Sequence, residues 1–257
     1  MSHSMLVEVA DGVATVTLNR PDAGNVLDMD MGRALMDAAL RCEADRGVRA
    51  VVLTGAGKNF CFGGDVRGMA EKGEAVGAYL NELTTYIHAA ISSFTRMRAP
   101  VVAAVNGTAA GGAVGLACMA DLAIAGRSSK FTLAYTGIGM APDCGTSFLL
   151  PRVVGRRRAL ELFLTNRVLG ADEALAWGLV NQVVEDAEVV PQAQALAARF
   201  AAGPTESYGA VKRLMDLSDP GIEAQMAAEG RAIAAQGLHP NGIEGVRAFV
   251  EKRKPKF

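Results

Sequence analysis

Two short runs constrain this chain most: "VRAVVLTGAG" (48–57) and "PVVAAVNG" (100–107), each apolar almost throughout and closed by glycine. A strand that is apolar at every position, instead of every second one, has both faces buried. That is the mark of a parallel sheet with helices on each side. Before the first run lies "MDMGRALMDAALRCEADRG", where Met31, Leu35, Met36, Ala39 and Leu40 recur at helical spacing up to Gly47. Before that, "LVEVADGVATVTLNRP" reads as a hairpin with its turn at Asp11-Gly12. Strand, helix and strand in this order predict a right-handed crossover and parallel pairing. The fold class is α/β.

The pattern continues downstream. "AYLNELTTYIHAAISSFTRMR" predicts a helix with Leu80, Leu83, Ile87, Ile91 and Phe94 on one stripe, stopped by Pro100. "DLAIAG" is a further short strand, and "SKFTLAYTGIGMAPDCGTSFLLPRVVG" reads as strand, turn at Pro142 and helix. Beyond about residue 200, "EAQMAAEGRAIAAQG" and "NGIEGVRAFVEKR" are amphipathic helical runs with no strand between them. Half of the 257 residues are hydrophobic and 21% charged, which is enough for a large core and argues against disorder.

Charge and cysteine usage exclude several classes. A net charge of −1 supplies no field for nucleic acid, and the basic run Lys252 to Lys256 by itself reads as a solvated tail. Cys42, Cys61, Cys118 and Cys144 are widely spaced, so neither a disulfide scaffold nor a metal site is expected, and a cytoplasmic setting is. The opening "MSHSMLVEV" shows no basic region followed by an apolar run, so no secretory leader is expected. The apolar stretch Ala109 to Ala125 is broken by glycine and carries Asp121, which makes it core and not a membrane span.

The stretch "TAAGGAVGLACMADLAIAG" raises the functional question. It places Gly111, Gly112 and Gly115 where a buried helix begins, although glycine costs a helix roughly 1 kcal/mol relative to alanine. The unit of strand, glycine-rich loop and helix occurs twice, at "LTGAGKNFCFGGD" and "VNGTAAGGAVGLA". Neither copy has the spacing of a P-loop or of G-x-G-x-x-G. Tight turns and close helix packing are one reading of these glycines. The other is a pair of backbone N–H donors around one oxygen, since helix N-termini carry unpaired donors and favour negative charge.

These residues carry a resemblance. "NFCFGGD", "PVVAAVNGTAAGGAVGLACMADLAIA", "APDCGTSFLLPRVVG", "EALAWGLVNQVV" and "AFVEKRKPKF" occur in order along essentially the whole chain. Together they resemble the crotonase (enoyl-CoA hydratase/isomerase) superfamily, closest in motif to its Asp-using isomerases and 4-chlorobenzoyl-CoA dehalogenase-like members. The resemblance implies a crotonase-type spiral of ββα turns over 1–200 that binds acyl-CoA. It also implies an α-helical oligomerisation region over 201–257, giving a homotrimer or a dimer of trimers. No tightly bound cofactor is implied, since coenzyme A enters as part of the thioester substrate. The oxyanion donors fall on the N–H groups of Gly64 and Gly112. Coenzyme A contacts fall on Ala23, Cys61, Phe62 and Asp65, with Phe249 and Lys252 serving the nucleotide of a neighbouring subunit; the basic residue usual in the loop "NRPDAGNVL" is absent, Asp22 and Gly24 standing there, and Arg67 is the candidate to replace it. The acyl pocket wall falls largely on the helix from Glu71 to Arg98.

The departures from the family pattern matter equally. Hydratases of the superfamily place two catalytic glutamates where this chain has Gly115 and Tyr135. Ordinary hydration of an enoyl-CoA is therefore not expected. Asp143 is the remaining acid–base candidate: some members carry a catalytic Asp there, for proton transfer in double-bond or ring isomerisation, or as a nucleophile on an aromatic ring. Its structural alternative is a turn residue or the N-cap of the helix through "CGTSFLLPRVV". His88 coincides with the dehalogenase general base, and with Tyr135 would shape or polarise the pocket. Tyr135 stands where the dehalogenase has a tryptophan, while the chain's one tryptophan, Trp177, sits in a packing pattern, so that set is incomplete. The expected activity is isomerisation of an acyl-CoA through a stabilised enolate. The alternatives are dehalogenase-like aryl-CoA chemistry with Asp143 as nucleophile, or a non-catalytic CoA-binding scaffold.

Overall fold

The computed structural model describes residues 4–216 and 221–257, so the first three residues of the opening stretch lie outside it. The chain begins with the hairpin of β1 (Met5–Ala10) and β2 (Val13–Leu18). Their pairing is antiparallel with Ala10 opposite Val13, and Asp11 and Gly12 both take positive φ, +48° and +78°. That double left-handed turn matches the twist of the two strands. Helix α1 (Met29–Ala44) then leads to β3 (Ala50–Gly55). The chain continues through α2 (Val66–Ala70), α3 (Val76–Arg96), β4 (Val101–Val105), β5 (Ala109–Ala110), α4 (Gly112–Met119), β6 (Leu122–Gly126) and β7 (Lys130–Thr132). After a long loop come α5 (Thr146–Val154), α6 (Arg156–Thr165), β8 (Leu169–Gly170), α7 (Ala171–Ala176), β9 (Gln182–Val184) and α8 (Val189–Ala201). Three helices follow: α9 (Thr205–Met215), α10 (Ile222–Leu238) and α11 (Pro240–Val250).

Six strands form one sheet in the order β1-β2-β3-β4-β6-β9, parallel at every pairing except the hairpin. The continuous apolar runs have the two-sided burial expected of them. In β3, Val51 and Leu53 join the larger core, while Ala50 and Val52 face a second core built with Val189, Ala193, Ala197 and Ala201 of α8. Val101 and Ala103 against Val102 and Ala104 divide in the same way in β4. Helices α1, α3 and α4 bury their apolar residues in the larger core. A small second sheet, β5-β7-β8, brings the start of α4 beside the segment after β7. Among the described residues no helix is long and apolar enough to cross a membrane.

The loop after β2 is organised by one buried residue. Asn25, 0% exposed and at φ +55°, donates through Nδ2 to the carbonyls of Ala56 (3.0 Å), Asn59 (2.9 Å) and Phe60 (3.2 Å). Its Oδ1 accepts the Arg20 N–H at 2.8 Å. This ties the loop after β2 to the glycine-rich loop after β3. Arg20 adds a charged clamp, donating to both carboxylate oxygens of Asp28, the N-cap of α1, and to the Val26 carbonyl. In Asn25→Ala, three carbonyls and one N–H lose their partner, so a loss of about 2–4 kcal/mol is expected. A fall in the urea unfolding midpoint at unchanged m-value measures it.

Candidate active site

A cavity of about 300 Å³ opens where the two glycine-rich loops meet the segment after β7. Leu27, Phe62, Val66, Met69, Leu80, Leu83, Ile87, Leu133, Ile138 and Met140 make its lining apolar. The polar groups facing it are few: Gly64, Gly111 and Gly112 of the backbone, Tyr135, Asp143 and Cys144.

The backbone donors differ in their engagement. Leu27 N–H binds the Gly63 carbonyl at 2.7 Å and Asp65 N–H binds the Leu27 carbonyl at 3.2 Å, a parallel bridge that leaves the Gly64 N–H on the opposite side. Gly111 N–H binds Thr132 O at 2.9 Å, and Val114 N–H binds Gly111 O. Gly112 is the first residue of α4, where an N–H has no acceptor within the helix. Among the described residues, neither the Gly64 nor the Gly112 N–H meets an acceptor, and both residues line the cavity.

The glycines of α4 answer to packing as well as to donation. A Cβ at Gly112 would lie 2.6 Å from Cys144 Sγ, and one at Gly115 would lie 2.2 Å from the Cys144 carbonyl oxygen and 3.1 Å from Thr146 Cγ2. The turn carrying Asp143 rests directly on the backbone of α4. No side chain of any kind fits at 115 while that turn stays in place.

Asp143 does not cap the following helix. The N-cap of α5 is Gly145 at φ +70°, with no side-chain cap bond. The Asp143 carboxylate turns instead toward Tyr135, whose hydroxyl donates to Oδ1 at 2.6 Å. The Asp143 carbonyl accepts from Thr146 twice, from N–H at 3.0 Å and from Oγ1 at 2.7 Å. Burial, with the Asp143 charge beside it, drives the Tyr135 phenol well above its ordinary range, so the hydroxyl stays a donor. Burial likewise raises the Cys144 thiol well above a free cysteine, with Asp143 adding to it. Ala134 (φ +55°) and Cys144 (φ +51°) flank the pair in left-handed backbone, a strain of order 1–3 kcal/mol each that collects at this one place.

The other expected residues divide. Phe62 lines the cavity, with Gly24 against its ring. His88 is exposed on α3 and does not line the cavity; its Nε2 accepts the Cys144 N–H at 3.3 Å. Cys61 is wholly buried, its thiol pushed up to about 12, and its Sγ accepts the Gly63 N–H. Asp65 caps α2 by accepting the Gly68 N–H at 3.1 Å, and Arg67 is exposed on the same helix. Ala23 is exposed in a single turn of 3-10 helix, and Phe249 and Lys252 are exposed on and just past α11, none of them lining the cavity. Met69, Ile138 and Met140 join the lining without a signal in the sequence, because an isolated Met or Ile in a short irregular segment has no periodicity to mark it.

The comparisons with known proteins converge. The model of the enoyl-CoA hydratase/isomerase family matches residues 8–257. A 1,2-epoxyphenylacetyl-CoA isomerase of Escherichia coli is 36% identical over 100% of this chain and 99% of its own length. A 4-chlorobenzoyl coenzyme A dehalogenase of Arthrobacter is 37% identical over 97% and 91%. The crystal structure of an enoyl-CoA hydratase from Polaromonas superposes with a TM-score of 0.93 at 28% identity, over 98% of both chains.

The chain belongs to the enoyl-CoA hydratase/isomerase family. Its chemistry is that of a crotonase-type CoA-thioester enzyme. Of the two positions where the resemblance puts the hydratase glutamates, Gly115 has no space for a side chain and Tyr135 holds Asp143. Gly115→Glu should therefore lower stability by about 1–3 kcal/mol through overpacking and yield no hydration. Thermal unfolding, and the absorbance of a conjugated enoyl-CoA incubated with the variant, check both halves.

Proposed function

We propose that this enzyme moves a double bond within an acyl-CoA. The observation that supports this is the Asp143 carboxylate, which lines an apolar cavity with its Oδ1 held by the Tyr135 hydroxyl. With a β,γ-enoyl-CoA bound, the thioester oxygen lies between the Gly64 and Gly112 N–H groups. Asp143 removes a proton from Cα, and the electron pair spreads into a dienolate whose negative oxygen the two donors stabilise. The same carboxyl group returns the proton to Cγ, and the double bond ends conjugated with the thioester. A donor of this kind is worth on the order of 10²–10³ in rate. Tyr135 supports the base by fixing one carboxylate oxygen and with it the orientation of the group.

The dehalogenase relative keeps one alternative in view, in which Asp143 attacks an aromatic ring and His88 activates water. The geometry favours it less, because the His88 Nε2 lone pair is engaged by the Cys144 N–H. It requires a covalent ester on Asp143, visible as added mass after single-turnover quenching with an aryl-CoA. A non-catalytic scaffold is the third reading, and turnover that depends on Asp143 rejects it.

Conversion of a β,γ-enoyl-CoA to its conjugated isomer is the direct test. Wild type should show it, and Asp143→Asn should lose about 10²–10⁴ of kcat. The phenol gives a second check. Its raised pKa means that the protonated, donating form persists to higher pH than in free tyrosine. Between about pH 9 and 11, where ordinary phenols ionise, Tyr135→Phe and wild type should give the same tyrosinate absorbance change. A smaller change in the variant would mean that Tyr135 ionises normally.

A further inference from the structure

Three anchors hold the Asp143 turn. Two come from close by in the chain: Tyr135 takes Oδ1, and Thr146 binds the Asp143 carbonyl through N–H and Oγ1. The third crosses from another element. His88 of α3 accepts the Cys144 N–H through Nε2 at 3.3 Å, and Cys144 is the residue at φ +51° immediately after Asp143. A backbone amide only donates, so Nε2 contributes a lone pair here and the ring proton sits on Nδ1. That lone pair is the one a general base would have to use.

The helix that bears His88 also bears the cavity wall. Ile87, its neighbour, lines the cavity, as do Leu83 one turn and Leu80 two turns earlier. One rigid element thus supports the acyl chain on its buried face and fixes the catalytic turn from its exposed edge.

We propose that His88 is a positioning residue: its neutral Nε2 pins the left-handed Cys144 backbone and thereby aims the Asp143 carboxylate relative to the acyl wall on the same helix. This deepens the isomerase reading and rests on it for the kinetic part of its test. His88 gives up no proton and takes none. It acts through the direction of Asp143, so its loss lowers kcat and leaves KM nearly unchanged.

The test compares wild type with His88→Leu, which removes the acceptor, and His88→Gln, whose Oε1 restores one at similar reach. Hydrogen exchange at the Cys144 amide of the full-length protein reads the anchor directly. It should quicken about 10-fold or more in His88→Leu and stay near wild type in His88→Gln. On a β,γ-enoyl-CoA, His88→Leu should lose about 10–100-fold in kcat with KM within about 3-fold, the size of effect that a small misplacement of a reacting group produces. His88→Gln should recover kcat to within about 3-fold of wild type. Equal loss in both variants makes His88 a proton carrier and overturns the proposal. An unchanged kcat in His88→Leu overturns it as well. If wild type itself leaves the thioester unconverted, the isomerase reading has failed, and unaltered Cys144 exchange in His88→Leu would still overturn the anchor.

Discussion

The contact on which the site depends is backbone against backbone. The turn of Asp143 to Thr146 lies on α4 at Gly112 and Gly115, so close that a Cβ at 115 would stand 2.2 Å from a carbonyl oxygen. Glycine is poor for an isolated helix, but all eight residues of α4 are buried and packing decides its stability. The contact holds two polar groups of the cavity in register. The free N–H at the start of α4 and the carboxylate of Asp143 belong to one rigid unit, and neither can drift from the other without opening the core.

A second constraint brings in the other donor. The loops after β3 and β4 leave the same edge of a parallel sheet, where ligands of α/β proteins collect. Asn25 sews the loop after β2 to the loop after β3 with three hydrogen bonds, and a fourth, from the Arg20 N–H, holds it within its own loop. The Leu27–Gly64 bridge then fixes which side of that loop shows its N–H to the cavity. The cavity walls are apolar, so the few polar groups that remain act in a medium where they are strong.

Much of this architecture is legible in the residues alone. Two-sided burial in β3 and β4 follows from the runs themselves, and Asp11-Gly12 dictates its turn through residues that tolerate positive φ. The pairing of two glycine-rich loops points to two donors. Asp143 is ambiguous as a letter in the chain, because an aspartate ahead of a helix suits a cap as well as a catalyst. Three-dimensional packing removes the first of these roles: Gly145 caps α5, and the carboxylate goes to Tyr135. Cys61 and Ala23 match family positions; the first is buried in the core and the second is exposed outside the cavity lining.

The parallel sheet, the helices that cover it and the glycines that expose backbone are all readable along the chain, because periodicity and chain flexibility are local properties. By the resemblance, Gly115 and Tyr135 stand where a hydratase has its two glutamates. Folding alone settles that Gly115 has no room for a side chain, that Tyr135 grips Asp143, and that His88 reaches the amide of Cys144, 56 residues further along the chain. Those facts depend on which surfaces of α3, α4 and the turn before α5 meet, and that is set by packing among segments far apart in the chain.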